Sequence, residues 1–131
     1  MRLLLDTHIW LWSVAEPARL SIRVARELED PDNEVWLSPI SVWEVLTLAR
    51  KRRIVLDPDP VRWIEQSFRV LGFKEAPLNH EVALQTESVD LVHADPADRF
   101  LAATARVYDL TLVTSDERLL RSRSFASLPN R

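Results

Sequence analysis

Apolar and polar residues follow two different patterns along this chain, one typical of strands and one typical of helices. Short apolar runs bounded by polar residues predict strands at 2–6, 34–37 and 111–114, and residues 73–78 also look extended. Apolar residues at the helical period predict helices over 7–15, 21–29, 39–49, 61–71, 79–91 and 97–108. Because strands and helices alternate with short connections, the pattern predicts an α/β fold with a mostly parallel sheet covered by helices on both faces.

The composition limits the number of domains and excludes several kinds of functional site. With 131 residues and 47% apolar content, the chain can bury one core, so we expect a single domain spanning 1–131. The single glycine, Gly72, follows the predicted helix 61–71, where a left-handed residue often ends a helix. One glycine cannot form the Gly-rich phosphate loops of nucleotide-binding folds, and the lack of cysteine excludes disulfides and thiolate sites.

The charge balance gives little support to unspecific binding of nucleic acid by the whole surface, because the net charge is -3. Residues 50–53, Arg-Lys-Arg-Arg, form one basic run, either a solvated helix end or a phosphate-binding patch, and the first is the commoner case. No apolar run approaches a membrane span, and the N-terminus lacks the layout of a signal peptide, so we expect a cytoplasmic protein without a membrane partner.

Four acidic residues occupy positions that the predicted fold would bring together. Asp6 and Asp116 follow two predicted strands, and Glu44 and Asp98 lie near the starts of two helices. In a parallel sheet, these positions share the edge at the carboxyl ends of the strands, where ligands bind. We therefore expect the four carboxylates to converge.

Each acid also has an ordinary structural interpretation. Residues 41–44, Ser-Val-Trp-Glu, match a capping box in which Glu44 would bond a backbone N–H. Asp95 before Pro96 is typical of a helix N-cap, Asp98 suits the first turn of that helix, and Asp116 could cap a short segment after it. It is the coincidence of all four at one edge that favours a site.

An unpaired cluster of carboxylates is unstable, which favours a bound divalent cation. Oxygen ligands suit Mg²⁺ or Mn²⁺, and such ions activate water for in-line hydrolysis of phosphodiesters. Thr7 and Ser115 lie beside the acids and could bond to them. His8, His80 and His93 lack zinc-ligand spacing, and His8 is expected to be structural or to support the site. The five tryptophans are expected to lie mostly in the core or at interfaces.

Four motifs in this order resemble those of the PIN-domain ribonucleases, in particular the VapC-type toxins of toxin–antitoxin pairs. They are Leu-Leu-Leu-Asp-Thr-His at 3–8, Ser-Val-Trp-Glu-Val at 41–45, Asp-Pro-Ala-Asp-Arg-Phe-Leu-Ala-Ala at 95–103, and Leu-Val-Thr-Ser-Asp at 112–116. The resemblance covers nearly the whole chain. It implies an α/β/α sandwich, Mg²⁺ or Mn²⁺, and endonucleolytic cleavage of RNA.

The resemblance also assigns residues and partners. The catalytic and metal-binding quartet of the family falls on Asp6, Glu44, Asp98 and Asp116. Its Asp-Arg pair falls on Asp98 and Arg99, its hydroxyl near the last acid falls on Thr114 or Ser115, and Asp95 is an additional acidic neighbour. The resemblance further implies a homodimer and a small cognate antitoxin that covers the active site.

Two other functions remain open on sequence alone. A metal-dependent phosphomonoesterase would use the same chemistry, although no Asp-x-Asp-x-Thr motif is present. A non-catalytic binding or regulatory module would keep the fold without needing the acids.

Overall fold

Five parallel strands form the central sheet of this protein, a computed structural model of which describes residues 1–91 and 95–131. The strand order is β3-β2-β1-β4-β5, with every neighbouring pair parallel. The strands are β1 Arg2–Leu5, β2 Glu34–Leu37, β3 Lys74–Glu75, β4 Thr111–Thr114 and β5 Ala126–Pro129.

Helices cover both faces of the sheet, and together with the strands they give the predicted α/β/α architecture. They are α1 Thr7–Ala15, α2 Ile22–Glu29, α3 Pro39–Arg50, α4 Pro60–Leu71, α5 His80–Gln85, α6 Pro96–Val107 and α7 Glu117–Leu120. In the described ranges, no helix is long and apolar enough to cross a membrane.

The central strand β1 contributes to two separate hydrophobic cores. Leu3 and Leu5 belong to one buried cluster and Leu4 belongs to the other, and all three are 0% exposed. Successive side chains of a strand point to opposite faces, so the three leucines fill the cores on both sides of the sheet. The uninterrupted apolar run therefore marks a strand that is buried on both faces, and it places the residue after it at the edge of the sheet.

Strand register fixes the position of that next residue. Leu5 pairs with Val113 of β4, and the backbone N–H of Asp6 donates to the Val113 carbonyl at 3.0 Å. Asp6 therefore leaves the sheet beside the end of β4. Two acid-bearing segments that are more than 100 residues apart in sequence begin from adjacent strands.

Several sequence predictions needed correction. The extended segment 73–78 contains only the two-residue strand Lys74–Glu75. The helix predicted over 79–91 ends at Gln85 and continues as the 3-10 turn Thr86–Ser88. Strand Ala126–Pro129 was not predicted, because only one of its four residues, Leu128, is a large apolar side chain.

The tryptophans are core residues with one exception. Trp10 is 0% exposed and packs against Trp63, while Trp12 and Trp36 border the two cores. Trp43, by contrast, is 53% exposed on α3, which agrees with the expectation that most but not all of the tryptophans lie in the core or at interfaces.

Within residues 1–91 and 95–131, three helices are followed by a residue in the left-handed conformation, and one of these three residues is a glycine. Gly72 ends α4 with φ 59°, as predicted, whereas Arg52 after α3 has φ 59° and Asp109 after α6 has φ 54°. The backbone N–H of Arg53 donates to the Leu48 carbonyl at 3.0 Å, which closes the turn after α3. A side chain at such a position carries a conformational cost that glycine avoids.

We therefore expect Arg52→Gly to raise the free energy of unfolding. The left-handed conformation costs a non-glycine residue about 1–2 kcal/mol, and the greater chain entropy of unfolded glycine offsets part of the gain, which leaves about 0.5–1 kcal/mol. Urea unfolding measures the change. The matched control is Arg50→Gly, two residues earlier in the helical region, which should lower the same free energy; stabilisation by both variants, or by neither, would contradict this explanation.

Candidate active site

A polar pocket opens at the carboxyl edge of the sheet. Eight residues from β1, α1, α3, α6, β4 and α7, or from the turns next to them, line it: Asp6, His8, Glu44, Asp95, Asp98, Ser115, Asp116 and Arg118. Five of the eight are acidic. The fold thus brings together the four acids that the sequence placed at this edge and Asp95, the acidic neighbour that the resemblance implied, and it adds an arginine.

Asp6 is held at both carboxylate oxygens. Its Oδ1 accepts from the backbone N–H of Thr7 at 2.7 Å, as the N-cap of α1, and its Oδ2 accepts from the Thr114 hydroxyl at 2.6 Å. Burial raises the pKa of Asp6, while these two hydrogen bonds act in the opposite direction. The carboxylate is therefore fixed in place, and each oxygen keeps a further lone pair for another ligand.

Glu44 is held by the same turn of α1. The buried Thr7 hydroxyl donates to Glu44 Oε1 and also lies 3.1 Å from the Ser41 hydroxyl oxygen. Because the single Thr7 hydrogen is used by Glu44, the Ser41 hydroxyl must donate to Thr7. Burial raises the pKa of Glu44, and the negative charges of Asp6 and Asp95 add to that rise.

The capping-box interpretation of Glu44 is therefore wrong. The N-cap of α3 is Ser38, whose side chain accepts from the Ile40 N–H, and Glu44 lies in the second turn of the helix. Its carboxylate faces Thr7 in another element of the fold. The Ser-x-x-Glu spacing lies within α3, whereas the contact that orients Glu44 joins α3 to α1.

Asp95 and Asp98 share the start of α6. Asp95 is the N-cap, as its sequence position suggested, and accepts from the Asp98 N–H at 2.9 Å. Asp98 is 9% exposed and lies in the first turn. Burial raises the pKa of Asp98 to about 7, with further contributions from the charges of Asp95 and Asp6.

Asp116 pairs with a cation, Arg118, which it shares with Asp98. Arg118 Nη2 lies 3.0 Å from Asp116 Oδ2 and 3.6 Å from Asp98 Oδ2, so one guanidinium bridges the two acids. Hydrogen bonding to Arg118 lowers the pKa of Asp116, which also caps α7 by accepting from the Arg118 N–H at 2.9 Å. Sequence analysis missed Arg118; its position two residues after a candidate site acid was the available signal.

The donor set fits a hard divalent cation, since all five acids offer oxygen. Three of them, Asp6, Glu44 and Asp98, have pKa values raised by burial near like charges, which an added positive charge would relieve. Across 1–91 and 95–131, however, no three acidic or histidine side chains already lie in the geometry of a metal site. Asp98 and Asp116 face Arg118, so cation binding requires side-chain movement.

The amino-acid sequence matches the profile of the PIN domain over residues 3–124. The chain belongs to the PIN domain family. Ribonuclease VapC22 of Mycobacterium tuberculosis is 36% identical to this PIN domain over 123 residues, which are 92% of this chain and 91% of the relative.

Solved structures support the same fold. A crystal structure of VapBC2 from Rickettsia felis, bound to a promoter DNA fragment, matches with a TM-score of 0.75 at 14% identity and 98% coverage of both chains. A toxin–antitoxin complex from Klebsiella pneumoniae matches with a TM-score of 0.66 at 19% identity, covering 98% of this chain and 97% of that one.

The remaining predicted residues of this PIN domain divide between the pocket and the scaffold. Ser115 lines the pocket, and Thr7 and Thr114 hold acids. Arg99 instead donates to the carbonyls of Leu91 at 2.5 Å and Thr86 at 2.6 Å. Its guanidinium therefore holds Thr86 and Leu91, which precede α6 in the chain. His8 lines the pocket, whereas His93 lies outside the described residues.

Proposed function

We propose that this PIN domain is a metal-dependent endoribonuclease that hydrolyses RNA phosphodiester bonds and acts as the toxin of a toxin–antitoxin pair. One observation carries the proposal: carboxylates from distant parts of the chain line a single pocket, and three of them have raised pKa values there. The relative named as a ribonuclease, at 36% identity over most of the chain, supports RNA as the substrate.

In this proposal Asp6, Glu44, Asp98 and Asp116 hold Mg²⁺ or Mn²⁺ and are the catalytic residues. Such an ion, when bound, supplies the Lewis acidity that phosphodiester hydrolysis by water requires. Thr7 and Thr114 are positioning residues, since each donates a hydrogen bond to one of the acids. Asp95 and Ser115 lie at the rim, where Asp95 adds negative charge.

The partners belong to the same proposal. The solved toxin–antitoxin complexes of this fold suggest a small cognate antitoxin, and we further propose a homodimer, a cytoplasmic location and one nuclease domain spanning 1–131. An antitoxin that covers the pocket would need to supply positive charge, because acidic residues are in excess there.

Incubation of purified, partner-free protein with long cellular RNAs tests the proposal. We expect discrete internal cuts with Mg²⁺ or Mn²⁺ and none with EDTA or with Asp98→Asn. Phosphate release from small esters without internal cuts would instead indicate a phosphomonoesterase. Absence of both activities, with the biological effect retained in Asp98→Asn, would indicate a binding module.

Arg118 competes with a metal ion for two of the proposed ligands. We expect Arg118→Gln to bind Mn²⁺ a few-fold more tightly, because the substitution removes both a nearby positive charge and the ion pairs to Asp98 and Asp116. Isothermal titration calorimetry measures the affinity, and Arg69→Gln, at an exposed arginine in the last turn of α4 and outside the acidic pocket, is the matched control. Weaker metal binding by Arg118→Gln would show that this arginine organises the acids.

A further inference from the structure

A second groove leads out of the acidic pocket along α3. Its lining includes Glu44 and Asp95, which also line the acidic pocket, so the two spaces adjoin at these acids. Beyond these shared acids the lining of the groove is no longer acidic, and its other residues are aromatic, aliphatic or basic, with one threonine. A chain that is bound at the acids could therefore continue into this groove.

One face of α3 forms the floor of the groove. Trp43, Thr47 and Lys51 are spaced four residues apart and so lie along one side of the helix, over about 12 Å. Pro96 at the start of α6 forms part of the opposite wall. The floor therefore presents, in order from the acids outward, an indole ring, a hydroxyl and an ammonium group.

Trp43 is an unusual residue for such a surface. It is next to Glu44 in sequence and is 53% exposed, although burial of an indole ring is strongly favourable. Exposed aromatic rings stack on unpaired bases with little dependence on base identity. Trp43 is therefore placed to stack on a base that adjoins the acids.

The basic run at the end of α3 supplies charge at the far end. Lys51 and Arg53 line the groove and are exposed, and the left-handed Arg52 between them turns the chain back after the helix. Basic side chains also offset the dipole at a helix C-terminus. That role alone does not account for Arg53, which lies beyond the helix and still lines the groove.

We propose that this groove binds the single-stranded RNA that flanks the cleaved bond, with Trp43 stacking on an unpaired base and Lys51 and Arg53 contacting phosphates. The inference rests on the proposed nuclease function and adds the residues that would hold the flanking strand. A double helix keeps its bases stacked on one another and cannot offer one to Trp43.

Fluorescence anisotropy of a labelled, random-sequence single-stranded RNA tests the groove in the Asp98→Asn background with Mg²⁺, where the RNA stays intact. We expect Trp43→Ala to weaken binding about tenfold and Trp43→Phe to retain most of the affinity. Lys51→Gln with Arg53→Gln should lower the slope of log Kd against log salt concentration by about 1.4, the value for two phosphate contacts. Arg23→Gln with Arg26→Gln, on the exposed side of α2, is the charge-matched control and should leave the slope unchanged.

The outcomes separate this inference from the proposed function. If wild-type protein cuts RNA but the groove variants bind and cut as wild type does, the groove is overturned while the nuclease stands. If no RNA is cut but binding follows the expected pattern, the groove stands and the nuclease fails. If Trp43→Ala converts a dimer to a monomer in light scattering, and the salt slope is unaffected by the basic substitutions, the groove is a subunit interface and the inference is wrong.

Discussion

Replacing Asp98 with asparagine should lower the rate of RNA cleavage about a thousandfold, because removal of a metal-binding carboxylate forfeits several kcal/mol of charge stabilisation in the transition state. The side chain keeps its size, and its backbone N–H can still donate to the Asp95 cap. Multiple-turnover kinetics on a labelled RNA measure the loss.

The matched control is Asp59→Asn, which makes the same chemical change at the N-cap of α4, outside the acidic pocket. Asparagine caps helices about as well as aspartate does, so this variant should cleave RNA at the wild-type rate. The metal-free Asp98→Asn protein should also melt at a higher temperature than wild type at pH 8, because it no longer buries a charge there. Wild-type cleavage by Asp98→Asn would remove this residue from the active site.

The affinity for Mn²⁺ should fall about 25-fold between pH 7.5 and pH 5.5, since Asp98, with a pKa of about 7, must lose its proton to bind the ion. Asp6 and Glu44 also have raised pKa values and can only make the fall steeper. Calorimetric titrations at the two pH values measure the change. Equal affinities would show that the ion does not displace a proton from this cluster.

The stability of the metal-free protein should change with pH in the opposite direction to the Mn²⁺ affinity. The pKa of Asp98 is higher in the folded protein than the ordinary value of 3.8, so the folded state binds its proton more tightly. Its contribution to stability is fully present below the ordinary pKa and is lost as the pH rises through about 7. The melting temperature of metal-free protein should fall over that range, and saturating Mn²⁺ should reverse the fall.

The parts of this fold that the sequence predicted are those determined by local pattern. Strand β1 is followed directly by Asp6, and β4 is followed by Ser115 and Asp116; this was enough to predict which edge of the sheet carries the acidic pocket. Strand β5 escaped prediction because its pairing with β4 depends on tertiary contacts and not on its own composition.

The residues of the candidate site also divide into those that the local pattern predicted and those that depend on tertiary contacts. Asp6, Asp98 and Asp116 could be placed from the ends of elements, but the role of Arg99 could not be inferred from its proximity to Asp98 in sequence. Neighbours in a helix point about 100° apart, so a residue next to a pocket acid can face the scaffold, as Arg99 does. Arg118 reaches the acids from α7, whose orientation the sequence does not specify.

Three of the pocket acids also begin helices, since Asp6, Asp95 and Asp116 are the N-caps of α1, α6 and α7. Substitutions at these three positions are therefore limited by two requirements, the proposed activity and helix capping. A related protein that no longer needs the activity but must still fold can carry asparagine or serine in place of the carboxylate, because both residues still cap a helix. Alanine or valine at the same position would also weaken the helix. Related proteins that have lost the proposed activity but still fold should therefore carry small polar residues at these three positions. That substitution pattern would distinguish them from proteins that are losing the fold as well.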